Sequence, residues 1–182
     1  HRRRHSFPTR RSSDLAYHIK ISKTLVSDLK KVNNLERIDF VNNIKERILL
    51  HPEALSTENL RDINESPYVT FGSHTVTHPI LPMCSDQECL FEIAESKKRL
   101  QSILYNTIDV FAYPNGDFSQ REINYLKDNG YKLAFTTKPA IITKKNMCEL
   151  YNLPRFGMLE DASLYENICR MTGVWFANKI LY

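Results

Sequence analysis

Apolar residues recur along this chain with two different periods, and the alternation between them lays out its elements. From Ala16 to Leu50 the spacing is helical but ragged: Leu25, Leu29 and Val32 share one face, and Phe40, Ile44, Arg47 and Ile48 continue it, which predicts one or two helices. His51-Pro52 interrupts that pattern, and Ser56-Thr57-Glu58-Asn59 opens a short helix with an N-cap and an acid in its first turn. Tyr68-Val69-Thr70-Phe71 reads as a short strand, and Gly72 allows a sharp exit from it. Ser85-x-x-Glu88 is a capping box ahead of a long helix. Its predicted buried stripe is Leu90, Ile93, Leu100, Ile103 and Leu104, with Lys97, Lys98 and Arg99 on the solvated face. Ile108 to Tyr113 is the next predicted strand, Ser119-x-x-Glu122 caps another helix that Gly130 closes, and Tyr131 to Thr137 is a third strand. Leu164, Ile168, Met171, Trp175 and Phe176 fall on roughly one face near the C-terminus, which predicts packing at the core or a domain edge.

Strand and helix alternating at this spacing imply parallel β/α units in an α/β fold. A complete eight-unit barrel takes about 250 residues. The 182 residues supply about four such units.

Composition adds bounds rather than chemistry. With 42% hydrophobic and 25% charged residues the chain is one domain's worth and buries a real core. No run approaches the 18 or so apolar residues of a membrane span, and no signal-peptide pattern is visible. Residues 1–15, HRRRHSFPTRRSSDL, hold five arginines and one aspartate, a net +4, and the whole chain is also +4. The body is therefore charge-balanced, with 20 basic and 20 acidic residues, and its basic balance points to no nucleic-acid partner. The first fifteen residues resemble translated sequencing-adaptor sequence and are set aside as non-native; the competing reading is a disordered basic arm for nucleic acid or anionic lipid. Cys84, Cys89, Cys148 and Cys169 form no Cys-x-x-Cys or zinc-ribbon spacing, so unpaired thiols are expected.

The chemistry concentrates at Thr70 to Pro79. His74 and His78 stand four residues apart, which on a helical turn places both imidazoles on one side, where both ring nitrogens can reach a single cation. The plain alternative is two surface or capping histidines. What favours a metal is the setting, a strand end followed by glycine, where active-site ligands are often found. His-Thr-Val-Thr-His carries no glutamate after its first histidine, so it is not the helical zinc-protease motif, and any base comes from elsewhere.

Gly72-Ser73-His74-Thr75-Val76-Thr77-His78-Pro79, the helix Glu92 to Leu100, Phe111-Ala112-Tyr113-Pro114-Asn115-Gly116 and Leu153-Pro154-Arg155 occur in an order that resembles the polysaccharide deacetylases of the NodB-homology type, the family-four carbohydrate esterases. The resemblance runs from about Leu55 to Met158. It implies 55–182 as a partial, distorted β/α barrel lacking its first strands; residues 16–54, where the resemblance is poor, are read from their pattern as a helical N-terminal segment, an insertion or packing segment. It further implies a metal-dependent hydrolase that removes N-acetyl groups from an N-acetylated polysaccharide of the cell envelope or an exported glycan. His74 and His78 would be two ligands of a divalent metal, zinc by the preference of imidazole.

The resemblance also has gaps. The family's paired aspartates, base and third metal ligand, sit in a Thr-Phe-Asp-Asp-Gly motif that this chain does not contain. Asp62 and Glu65 lack its flanking pattern and read as surface charge. Ala112 stands where the family's Arg-x-Pro-Tyr loop has arginine, and Asn115 where it has tyrosine; because the oxyanion donor there is a main-chain N–H, Asn115 can still supply it. Arg155 is the candidate to hold the base carboxylate in place of the missing arginine, with a rim salt bridge as its alternative. Tyr113 is the candidate aromatic platform of the sugar groove, or else simply packed. No histidine follows His78 to serve as the family's acid, and nothing singles out Trp175 as a sugar platform. These 182 residues are therefore expected to be inactive by themselves, and the alternative function is a non-catalytic glycan-binding or scaffolding domain of the same fold.

Overall fold

The structure is a computed structural model that describes residues 20, 23–45, 55–144, 146–159 and 162–174. The expectations for residues 1–15, for Arg47, Ile48, His51 and Pro52, and for Trp175 and Phe176 fall outside that set. The chain divides into two compact units, residues 1–50 and 51–182.

In the first unit residues 23–29 form helix α1 and Asn34–Lys45 form helix α2. The Asn33 side chain caps α2 by accepting the Glu36 N–H at 3.0 Å. Leu25, Val32 and Phe40 are exposed, whereas Leu29 and Ile44 are half-buried.

The second unit is a set of β/α steps, and its helices start where polar caps dictate. Helix α3, Thr57–Asn64, begins at a reciprocal Ser56/Asn59 capping box. Helix α4, Asp86–Leu104, begins at the Ser85/Glu88 box and ends on Tyr105, which takes the left-handed conformation that stops a helix. Strand β1, Val110–Ala112, leads through a tight turn at Pro114–Gly116 to helix α5, Gln120–Asp128, which starts at the Ser119/Glu122 box. Gly130, at φ +70°, turns the chain into strand β2, Leu133–Phe135. Helix α6, Leu164–Met171, is capped by Ser163.

The sheet is small and open. Strands β1 and β2 pair in parallel, Val110 opposite Leu133 and Ala112 opposite Phe135. Single parallel bridges extend the sheet on both sides, Ser73 to Phe111 and Phe135 to Leu153. The order across it is thus Ser73, β1, β2, Leu153. All four segments run the same way, as the alternating pattern predicts, and they do not close into a barrel. The core lies between the sheet and helices α4 and α5, around Leu81, Ile93, Phe111, Leu126, Tyr131 and Ala134.

Five local expectations need correction. Residues 68–71 do not form a strand: Tyr68 is 95% exposed, Val69 and Thr70 are exposed, and pairing with β1 begins only at Ser73. Gly72 is required not for a sharp exit but for a close approach, since a Cβ there would lie 3.1 Å from the Val110 side chain. On α4 the stripe holds at Ile93 and Leu104, and partly at Leu100 and Ile103, but Leu90 is exposed, and Cys89, Glu92 and Ser96 face inward as well. Lys97 is not a solvated lysine either; its ammonium caps the end of α5 by donating to the Asn129 and Gly130 carbonyls at 2.9 and 3.0 Å, above the Tyr131 ring. On α6, Leu164, Ile168 and Met171 are exposed, so the predicted packing face has no cover among the described residues.

Candidate metal centre

Parallel strands present their following loops at one edge, and here that edge collects the residues the sequence singles out. His74 follows the Ser73 bridge, Asn115 follows β1, and Arg155 follows the Leu153 bridge. Ligand and catalytic groups of parallel α/β folds are usually found at this C-terminal edge.

The two imidazoles converge, although not on a helix. Residues 74–80 are irregular, and Thr75 and His78 take left-handed backbone angles, φ +68° and +57°. The ring centroids nevertheless lie 4.8 Å apart at an interplanar angle of 80°. Nδ1 of His74 lies 2.6 Å from the Ala112 carbonyl oxygen. A carbonyl only accepts, so Nδ1 carries the proton and Nε2 keeps its lone pair, the arrangement typical of a metal-ligating histidine. Two imidazoles bound to one ion at about 2.0–2.1 Å have centroids roughly 5 Å apart, a spacing that the pair matches. Among the described residues no third His, Cys, Asp or Glu completes a metal-binding group.

What fixes this loop is a residue that the pattern of the sequence hides. Glu92 of α4 is 3% exposed, and its Oε2 accepts the N–H groups of Val76 and Thr77 at 2.6 and 2.9 Å. Its Oε1 accepts the Thr77 hydroxyl at 2.5 Å. One turn further along α4, Ser96 Oγ lies 2.6 Å from Ser73 Oγ. The Thr75 hydroxyl accepts the His78 N–H at 3.0 Å. The signal was available as a pair of polar residues four apart, Glu92 and Ser96, flanked by Cys89 and Ile93 on one helical face.

The remaining candidates behave differently from one another. Asn115 is half-buried in the left-handed conformation at φ +56°, and its carbonyl accepts the Thr137 hydroxyl at 3.0 Å. Gly116 follows at φ +83°, where a Cβ would lie 2.3 Å from the Thr137 Oγ1. Arg155 is half-buried, burial lowers its pKa, and among the described residues no carboxylate forms an ion pair with it. Its neighbours Phe135, Ile141, Ile142, Phe156 and Met171 line a cavity of about 520 Å³. Tyr113 is no groove platform. It is 0% exposed, stacks on Phe118 at 4.6 Å and donates its hydroxyl to the Tyr151 carbonyl at 3.0 Å, so it packs the core beneath the loop. Asp62 and Glu65 are exposed. No disulfide joins the four cysteines; Cys84 and Cys89 are buried, and burial pushes the Cys89 thiol up to about 12, well away from reactivity.

Comparison with known proteins agrees with this architecture. The sequence model of the family described as polysaccharide deacetylase matches residues 36–134. YxkH of Bacillus subtilis (strain 168), a polysaccharide deacetylase by name, is 23% identical over 94 residues, which is 52% of this chain and 33% of that protein. Among solved structures, the Streptococcus pyogenes deacetylase PplD in complex with acetate superposes with a TM-score of 0.54 at 27% identity, covering 64% of this chain and 50% of that one. BC0361, a polysaccharide deacetylase from Bacillus cereus, gives 0.53 at 28% identity, covering 67% of this chain and 38% of that one. The chain thus spans between a third and a half of the length of these relatives.

Proposed function

Because the chain belongs to the polysaccharide deacetylase family, we propose that the protein built around this domain removes N-acetyl groups from an N-acetylated polysaccharide by metal-assisted amide hydrolysis. The observation that carries the reading is the convergence of His74 and His78 at the C-terminal edge of the sheet, with the His74 tautomer fixed by Ala112. These two side chains would hold a divalent ion, and imidazole ligands favour zinc. When bound, such an ion supplies Lewis acidity, activating water and polarising the amide carbonyl.

The chain's own groups take the supporting parts. The main-chain N–H of Asn115, held in a left-handed turn, donates to the oxygen of the reacting carbonyl, and its side chain is not needed for that. Arg155, with its charge half-buried and no acidic partner among the described residues, would hold a carboxylate. The sequence has no Asp-Asp pair, so on this reading the 182 residues alone lack the base and the third ligand that the reaction needs. The same observation, together with the lack of a three-residue metal group among the described residues, favours a second reading for the isolated chain: a glycan-binding or scaffolding domain.

The test compares this domain alone with the domain joined to a Thr-Phe-Asp-Asp-Gly strand. The joined protein is expected to release acetate from N-acetylglucosamine oligomers and to stop when a chelator is added, while the domain alone releases none. Turnover by the domain alone refutes the need for the aspartate pair. Glycan binding without turnover by the joined protein establishes the second reading.

A further inference from the structure

We propose that Glu92 is the positioning residue that sets the His74–His78 pair, acting from the buried face of α4 through the backbone between the two histidines. The inference rests on the reading of that pair as metal ligands, and it concerns a residue that makes no contact with the reacting atoms.

Two imidazoles four residues apart meet without assistance only on a helix. Here the intervening residues 75–77 are not helical, and Thr75 and His78 hold positive φ angles that non-glycine residues occupy only at a cost. Such a conformation persists only where its surroundings over-determine it. Residues 74–79 lie in no helix or strand, and among the described residues none of their N–H groups pairs with a backbone carbonyl, so ordinary secondary structure does not supply the constraint. The constraint comes from side chains. Successive N–H groups of Val76 and Thr77 converge on one oxygen of Glu92, as main-chain N–H groups do in anion-binding concavities, and the Thr77 hydroxyl takes the other oxygen. Bonds to an ionised acceptor are shorter and about twice as strong as neutral ones.

The clamp has a second point. Ser96, four residues along α4 and on the same inward face, meets the Ser73 hydroxyl on the other side of His74. The histidine segment is therefore gripped at residue 73 and at residues 76–77 by one rigid helix. That helix is fixed at its N-terminus by the Ser85/Glu88 box. Glu92 thus transmits the position of α4 to both rings, in the way that outer groups orient metal ligands and set metal affinity.

The test uses the chain itself with three substitutions. Glu92→Leu keeps the volume but gives the Val76 and Thr77 N–H groups no acceptor; Glu92→Gln keeps an acceptor for them and presents its amide N–H to the Thr77 oxygen; Thr77→Val removes one bond and disturbs the fold least. Two signals are read in each: the NMR cross-peak between the His74 and His78 ring protons, and Zn²⁺ affinity by competition with a chromophoric indicator. Amide signals of β1, β2 and α5 report whether the core is intact.

With the core intact, Glu92→Leu is expected to lose the ring-to-ring contact and to weaken Zn²⁺ binding by about 10-fold or more, the usual effect of removing a group that orients a ligand. Thr77→Val is expected to lie between it and the parent, and Glu92→Gln to keep most of both signals. Ring contact and Zn²⁺ affinity unchanged in folded Glu92→Leu, or in Thr77→Val should the former not fold, overturn the proposal. A parent chain whose Zn²⁺ binding does not depend on His74, yet whose ring contact still depends on Glu92, defeats the metal reading and leaves the positioning role standing.

Discussion

The Nδ1 nitrogen of His74 lies 2.6 Å from the carbonyl oxygen of Ala112, the last residue of β1. This single bond ties a loop histidine to the neighbouring strand and settles which nitrogen faces outward. It also makes the metal reading specific: only Nε2 of His74 has a lone pair to give.

Replacing either histidine therefore has a defined consequence. His74→Ala and His78→Ala are each expected to abolish the chain's Zn²⁺ binding in an indicator competition, while the urea midpoint stays close to that of the parent, because both rings sit on an exposed or half-exposed loop. Zn²⁺ binding that survives both changes would place the ion elsewhere.

Tyr113 belongs to stability and not to the glycan. Tyr113→Phe removes the bond to the Tyr151 carbonyl and is expected to cost about 1 kcal/mol, whereas Tyr113→Ala empties a fully buried site and is expected to cost about 3–5 kcal/mol. Urea unfolding measures both. The affinity of the Phe variant for N-acetylglucosamine oligomers should match the parent.

Glu122 gives the fold an acid-sensitive element. Burial raises its carboxyl, but the Ser119 hydroxyl, the Arg121 guanidinium and the Ser119 N–H outweigh that and hold its pKa below the ordinary 4.5. An acid whose folded value is depressed contributes stability that is complete above its unfolded value and is lost as pH falls through the folded one. Unfolding midpoints are thus expected to fall as pH drops below about 4.5, with the dependence reduced in Glu122→Gln. Arg121→Met leaves a fully buried charge with its cation gone and also removes the donors to the Leu81 and Cys84 carbonyls. It is expected to cost about 3–5 kcal/mol at neutral pH.

Gly116 holds the Asn115 turn open. Gly116→Ala puts a Cβ at φ +83° and against Thr137, and is expected to cost about 1–3 kcal/mol and to break the Thr137 hydroxyl bond to the Asn115 carbonyl. In an active protein carrying this domain, acetate release should fall further than stability does, because the displaced N–H of Asn115 is the proposed oxyanion donor.

Much of this architecture is legible along the chain because it is decided locally. The caps at Ser56, Ser85 and Ser119 and the turn at Gly130 depend on groups three or four residues apart, so their motifs are written consecutively in the sequence. The alternation of short apolar runs with helical patterns implies parallel pairing, and β1 and β2 pair in that way. The histidine pair, too, is visible as spacing and residue type.

Contacts between distant segments decided the rest. Periodicity puts Leu90 inside α4 by hydrophobicity alone, yet the helix turns Glu92 inward, because N–H groups of the histidine loop need an acceptor and only the packed structure brings them to it. Tyr113 looks like a platform because aromatic residues near a site often are; its burial depends on Phe118 and Tyr151, which the fold delivers from elsewhere. The sequence by itself determined where helices begin and which way the strands run. The tertiary structure decided how two histidines on a non-helical loop meet, since a loop outside helix and strand takes its shape from the side chains that reach it, and here one of them is Glu92.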